Sequence, residues 1–170
     1  RISAPVDNTP PPMPRPPSED GFAPIFDGAS LDGWEGDPRY WRVEGGAIVG
    51  EVTPETLLSS NTFLVWRGGS PRDFELKVSC RMSPVGNSGI NYRSVMVADE
   101  ITPANNFAMR GLQFDIDARD LFTGNVYEER GRRFIATRGQ FTRIGANSPA
   151  QVISSIGEAA TLRAALAGEW

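Results

Sequence analysis

Three stretches of this chain alternate between apolar and polar side chains. Phe74, Leu76, Val78, Cys80 and Met82 point one way, and Glu75, Lys77, Ser79 and Arg81 point the other. Ile90, Tyr92 and Ser94 alternate with Gly89, Asn91 and Arg93, and Leu112, Phe114 and Ile116 alternate with Gln113, Asp115 and Asp117. A period of two is the period of a β-strand and is incompatible with a helical apolar stripe. Around these stretches lie turn pairs, Asp27-Gly28, Asp32-Gly33, Gly45-Gly46, Gly68-Gly69 and Gly86-Asn87, which supply residues that tolerate φ > 0. Between the turns the pattern predicts strands over 41–43, 47–52, 63–66, 74–82, 89–97, 112–117, 125–130, 134–137 and 151–153. Many short strands at close spacing predict an all-β sandwich or barrel. One short helix is expected over 158–167, where Leu162, Ala165 and Leu166 share a stripe and Gly168 stops it.

Each alternating strand offers one apolar face for a core and one polar face. A merely soluble face would be filled with Thr, Lys and Glu. Here it carries Asn91, Gln113 and Arg93, and amides that both donate and accept suit the recognition of hydroxyl groups. The rest of the composition narrows the chemistry. Among 170 residues there is no histidine and a single cysteine, Cys80. This excludes a Ser-His-Asp triad, a Cys-His pair, a His-ligated zinc, an internal disulfide and a CxxC motif. Carboxylates, tyrosines, arginines and water remain for acid–base work.

The formal net charge is −4, and Lys77 is the only lysine among 17 basic residues. No basic block is present, so nucleic acid is not an expected partner. No apolar run approaches the ~20 residues of a membrane span. Residues 1–20 differ from the rest, since seven of the 14 prolines fall in the first 17 positions. Proline favours extended polyproline II, so this stretch reads as a semi-rigid tether, either a spacer to an anchor or neighbouring domain or a strap over the surface. Residues 21–170 are then the folded domain. A periplasmic or extracellular location is expected, with no leader visible in this chain.

Four motifs in order are familiar. Residues 22–34 read Phe-Ala-Pro-Ile-Phe-Asp-Gly-Ala-Ser-Leu-Asp-Gly-Trp, and residues 41–50 read Trp-Arg-Val-Glu-Gly-Gly-Ala-Ile-Val-Gly. Asp73-Phe-Glu-Leu76 and Gly86-Asn-Ser-Gly-Ile-Asn-Tyr-Arg93 follow. Together they resemble the 3-keto-disaccharide hydrolase domain family, from about Gly21 to Trp170. The resemblance implies a concanavalin A-like jelly-roll sandwich of the lectin/glucanase type. Two departures stand out. Many members carry Glu-x-Gln where this chain has Gln113-Phe-Asp115, which moves the acidic position by one alternate residue. Members also continue past a Gly-x-Trp, here Gly168–Trp170, into further strands. An incomplete sandwich with unpaired edges is therefore expected, to be covered by a further segment or a partner. Trp34 and Trp41 are expected in the core rather than as a sugar-stacking platform.

The resemblance implies a glycoside or disaccharide already oxidised to a ketone at C3. The ketone acidifies the C2 proton, a base removes it, the anomeric group leaves by β-elimination, and water adds back. This needs a base, a stabiliser of the enolate oxygen and an acid for the leaving group. The expected catalytic groups are Asp115 or Asp117 as base and Tyr127 or Glu128 as acid, with Arg93 or Arg130 near the enolate. Asn91 and Gln113 join the two arginines as expected substrate contacts. Within Glu128–Arg133 the parity is open: Val126, Glu128 and Arg130 share one face and Tyr127 and Glu129 the other. Asp115 and Asp117 would lie about 6.6 Å apart at Cα, within the spacing of ordinary glycosidase carboxylates, about 5–9.5 Å. Such an Asp-x-Asp pair can also hold a hard cation such as calcium, although no cofactor is required by this chemistry. A non-catalytic carbohydrate-binding module on the same scaffold is the alternative, and an interaction domain of a larger secreted protein a third.

Overall fold

A computed structural model describes residues 21–97, 107–146 and 148–165; the proline-rich tether expected over 1–20 and the chain end at 166–170 lie outside them. The described chain is all-β, built of antiparallel sheets, with one short helix, as a β-sandwich class requires. In order it forms β1 (Trp34–Glu35), β2 (Trp41–Glu44), β3 (Ala47–Gly50), β4 (Val65–Trp66), β5 (Asn87–Met96), β6 (Met109–Asp117), β7 (Val126–Glu129), β8 (Arg133–Ala136), β9 (Gln140–Arg143), β10 (Gln151–Ser155) and α1 (Ala159–Ala164). No helix among the described residues is long and apolar enough to cross a membrane.

Contacts group the chain into two compact units, one of residues 21–77 with 95–97 and 107–110, the other of residues 78–94 with 111–146 and 148–165. In the first, β2 and β3 form a hairpin across the Gly45-Gly46 turn, both glycines at positive φ. Its register sets Trp41 against Gly50. A Cβ on Gly50 would stand 2.6 Å from the Trp41 ring, so the final glycine of the Trp-x-Val…Gly pattern makes room for the indole. β1 pairs with β4, which sets Trp34 against Trp66, and the Trp34 indole N–H donates to the Ile25 carbonyl at 2.9 Å. Both tryptophans named in the sequence motifs are thus half-buried packing residues.

The second unit carries a sheet in the order β5-β6-β7-β8. A separate β9–β10 hairpin follows, irregular between Val152 and Ser154. The helix is shorter than expected, six residues, and Leu162 packs its side chain against Gly139 and Gly157.

Two expectations change. The alternating stretch over 74–82 pairs with no strand among the described residues, and Phe74, Leu76 and Val78 are 50%, 40% and 58% exposed. Alternation gives a segment two faces but does not supply a neighbour to pair with. Along β6 the buried side is the polar one: Gln113, Asp115 and Asp117 are buried while Phe114 is exposed. Local hydrogen bonding encloses these polar groups, which is what permits their burial.

Candidate functional site

The site is built on β6. Its neighbour β7 pairs in the register Gly111↔Glu129, Leu112↔Glu128, Gln113↔Tyr127 and Phe114↔Val126. Residues directly opposite in an antiparallel pair project to the same side of the sheet. Tyr127 and Glu129 therefore share the face of Gln113, Asp115 and Asp117, and the parity left open by the sequence is resolved. Glu128 stands on the opposite face, with Leu112. There it turns back onto the β7–β8 connection, where its carboxylate accepts from the Arg132 backbone N–H at 2.7 Å and from the Arg132 guanidinium at 2.9 Å. The Arg132 amide, with the guanidinium beside it, holds the Glu128 carboxyl below its ordinary range.

Asp115 is 5% exposed, and its carboxylate accepts from Gln113 Nε2 at 2.7 Å. Burial pushes its pKa up; the Gln113 bond pulls it down, and the charges of Asp117 and Glu129 push it up again, leaving it above the ordinary aspartate value. Its backbone is fixed at both ends: its N–H donates to the Asn125 carbonyl at 3.0 Å, and its own carbonyl accepts from the Gly124 N–H at 2.9 Å.

Asp117 does a different job. Its Oδ1 accepts from the N–H groups of Phe122 at 2.8 Å and Thr123 at 3.0 Å, and its Oδ2 from the Leu121 N–H at 3.3 Å. Burial would raise this carboxyl, but the Phe122, Thr123 and Leu121 amides together hold it below the ordinary value. Both oxygens are thereby committed to the connection that follows β6. From the other side Arg138 grips the same connection, donating to the Thr123 carbonyl at 2.7 Å and the Asp120 carbonyl at 2.9 Å. Asn125, itself buried, accepts from the Arg138 N–H at 3.1 Å. Asp117 and Arg138 thus fix this connection at the end of β6. Arg138 and Asn125 carry no motif of their own, and only the hydrogen-bond geometry reveals them.

The amide side of the site depends on two glycines. A Cβ on Gly89 would meet the Gln113 side chain at 2.6 Å, so Gly89 lets Gln113 lie flat over β5. Asn91, two residues on, shares that side and donates from Nδ2 to the Ser94 hydroxyl at 3.4 Å, while its buried Oδ1 has no hydrogen-bond partner. Gly111, at φ +154°, leaves the space that Ser94 occupies. Arg93 is exposed and has a left-handed φ of 51°, which interrupts the alternation. Arg130, at φ 54°, sits in the turn and donates to Glu129 Oε1 at 2.8 Å, with both side chains largely buried.

Of the expected set, the structure brings together Gln113, Asp115, Asp117 and Tyr127, with the expected Arg130 joined to that face through its pair with Glu129. It sets Glu128 apart. Strand parity is the signal that separates the faces of Glu128 and Glu129. Among the described residues no group of three His, Cys, Asp or Glu side chains could hold a metal ion.

The profile of one family, described as the 3-keto-alpha-glucoside-1,2-lyase-like domain, matches residues 21–170. The chain belongs to this family. Comparison with curated proteins gives no match, and neither does comparison with solved structures. The match spans both units of the lyase-like domain and all the motifs that carried the resemblance. It supports activity on 3-keto sugars as a general assignment.

Proposed function

We propose that this lyase-like domain cleaves 3-keto-glycosides on the face of β6 and β7 that carries Gln113, Asp115, Tyr127 and Glu129. The observation that carries this reading is the Asp115 carboxyl: buried, oriented by Gln113 at 2.7 Å, and raised in pKa by burial and by two neighbouring carboxylates. A carboxyl moved toward neutrality both takes and returns a proton more readily than a solvated one. The family's description as a 1,2-lyase matches the first half of the expected route. The C2–H bond breaks and its proton goes to a base. The electron pair forms the enolate, the C1–O bond then breaks, and the leaving oxygen takes up a proton. When water adds, its oxygen bonds to C1 and C2 regains a proton, giving net hydrolysis.

In this reading Asp115 moves the proton, and Tyr127, across the strand pair on the same side, is the second proton-transfer group. The Arg130 guanidinium stands beside Glu129 as the cation nearest the developing oxyanion. Asn91 and Gln113 bind sugar hydroxyls. The test is incubation with 3-keto-trehalose or a 3-keto-glucoside, with divalent metals supplied, and detection of free 3-keto-glucose. Turnover that is lost in Asp115→Asn supports the reading. Binding of the sugar by folded protein without any turnover would make the domain a carbohydrate-binding module instead.

A further inference from the structure

The row of side chains that starts at the proposed site does not end at Tyr127. The β7–β8 register sets Tyr127 against Phe134, so Gln113, Tyr127 and Phe134 lie side by side across three strands on one side of the sheet. With strands about 4.8 Å apart, Phe134 stands roughly 10 Å from the β6 carboxyl row, which is a distance that one sugar ring and its glycosidic oxygen can bridge. Tyr127 meets Phe134 edge-on at 5.3 Å, and Phe122 stacks on it at 5.5 Å. Phe122 is in turn pinned through its N–H by Asp117. The Phe134 ring is thus fixed in place from within and still 49% exposed. It lines a cavity of about 280 Å³ together with Pro149, Ala150 and Val152.

The lining selects what can enter. A second sugar would bring several hydroxyl groups, each needing a partner when removed from water. Of the three polar lining residues, Arg132 is committed to Glu128 and to the carbonyls of Gly145, Ala146 and Ser148, and Thr137 offers a single hydroxyl. Gln140 Oε1 already accepts from the Thr137 N–H at 2.9 Å. An aromatic ring asks for no such partners, and an apolar cavity of about 150 Å³ suffices for benzene.

Resting on the proposed function, we propose that Phe134 and the cavity beside it form a leaving-group subsite for an aromatic aglycone, so that aryl 3-keto-glucosides are preferred over 3-keto-disaccharides. The test compares phenyl 3-keto-glucoside, methyl 3-keto-glucoside and 3-keto-trehalose on the wild-type chain and on Phe134→Leu and Val152→Gln. The expected result is a kcat/KM at least tenfold higher for phenyl than for the other two. Each variant should raise KM for the phenyl substrate at least fivefold and change methyl turnover less than twofold. Saturation-transfer NMR with phenyl glucoside, which cannot react, reads the subsite without turnover. Ring-proton signals that weaken in both variants support the subsite even if no keto-sugar is cleaved. Equal kcat/KM for phenyl and methyl substrates overturns it, as do ring signals indifferent to both substitutions, whatever the activity.

Discussion

Replacing Asp117 by alanine should unfold the site from its support rather than from its chemistry. The carboxylate holds three backbone N–H groups and lies within 3.3 Å of the Thr123 hydroxyl. Leu121 is exposed, so its amide, already long at 3.3 Å, can turn to water. The Phe122 and Thr123 amides, at 2.8 and 3.0 Å, belong to half-buried residues and carry most of the cost. Hydrogen bonds to a charged group contribute roughly 1.5–3 kcal/mol each, so Asp117→Ala should lose about 3–6 kcal/mol. Asp117→Asn keeps one acceptor oxygen for those two amides and sets an NH₂ against Leu121, so it should lose only about 1–2 kcal/mol. The loss also has a pH signature. The folded-state pKa is depressed, so the stabilisation is full above the ordinary aspartate value of 3.8 and fades as pH falls through the folded value. Urea unfolding from pH 7 down to pH 2.5 reads both quantities. A loss below about 1 kcal/mol at pH 7, or one that stays constant down to pH 2.5, would refute the argument that the charge clamps this loop.

Asp115 carries the opposite sign. Its folded pKa is raised, so its contribution to stability is full below the ordinary value and is lost as pH rises through the folded one. Asp115→Asn should therefore melt higher than wild type at pH 7, with the gap closing below about pH 4, while turnover of a 3-keto-glucoside falls at least 100-fold. Glu129→Gln and Glu128→Gln should separate by face. The first should cut turnover at least tenfold, and the second should leave it within twofold while costing about 1 kcal/mol through its half-exposed Arg132 pair, as steady-state kinetics and thermal melts would show. Gly50→Ala should cost about 1–3 kcal/mol by overpacking the Trp41 ring, with a matching change in indole fluorescence.

How far the sequence reached depended on whether a feature was local or cross-strand. Strand periods, turn glycines and the Trp41–Gly50 pattern are local: each residue reports its own backbone need or its hairpin neighbour, and most of these elements formed near their expected places. The stretch over 74–82 met the same local criteria and stayed unpaired among the described residues, because pairing depends on a neighbour that alternation does not name. β9 was missed for the complementary reason. Gln-Phe-Thr-Arg is too short and too polar to stand out, and β10 makes it a strand.

The site shows the same division more sharply. Gln113, Asp115 and Asp117 were legible as one polar face of one strand, since parity within a strand is fixed by the pleat. Which of Glu128 and Glu129 shares that face was not, because it turns on the register between two strands, and one residue of slip exchanges the faces. The separate roles of Asp115 and Asp117 lay further still from the pattern. The two residues are chemically identical, two positions apart and both buried, yet one faces a side-chain amide and the other faces the backbone N–H groups of the loop after it. That difference comes from where β6 ends. Asp117 is the last residue of the strand, so the returning chain presents its unpaired amides there. Asp115 sits two residues inside, where Asn125 and Gly124 have already satisfied its backbone and the Gln113 side chain reaches its carboxyl. A carboxylate at the strand end is held by the backbone of the loop, and two residues inward the same group is held by a side-chain amide.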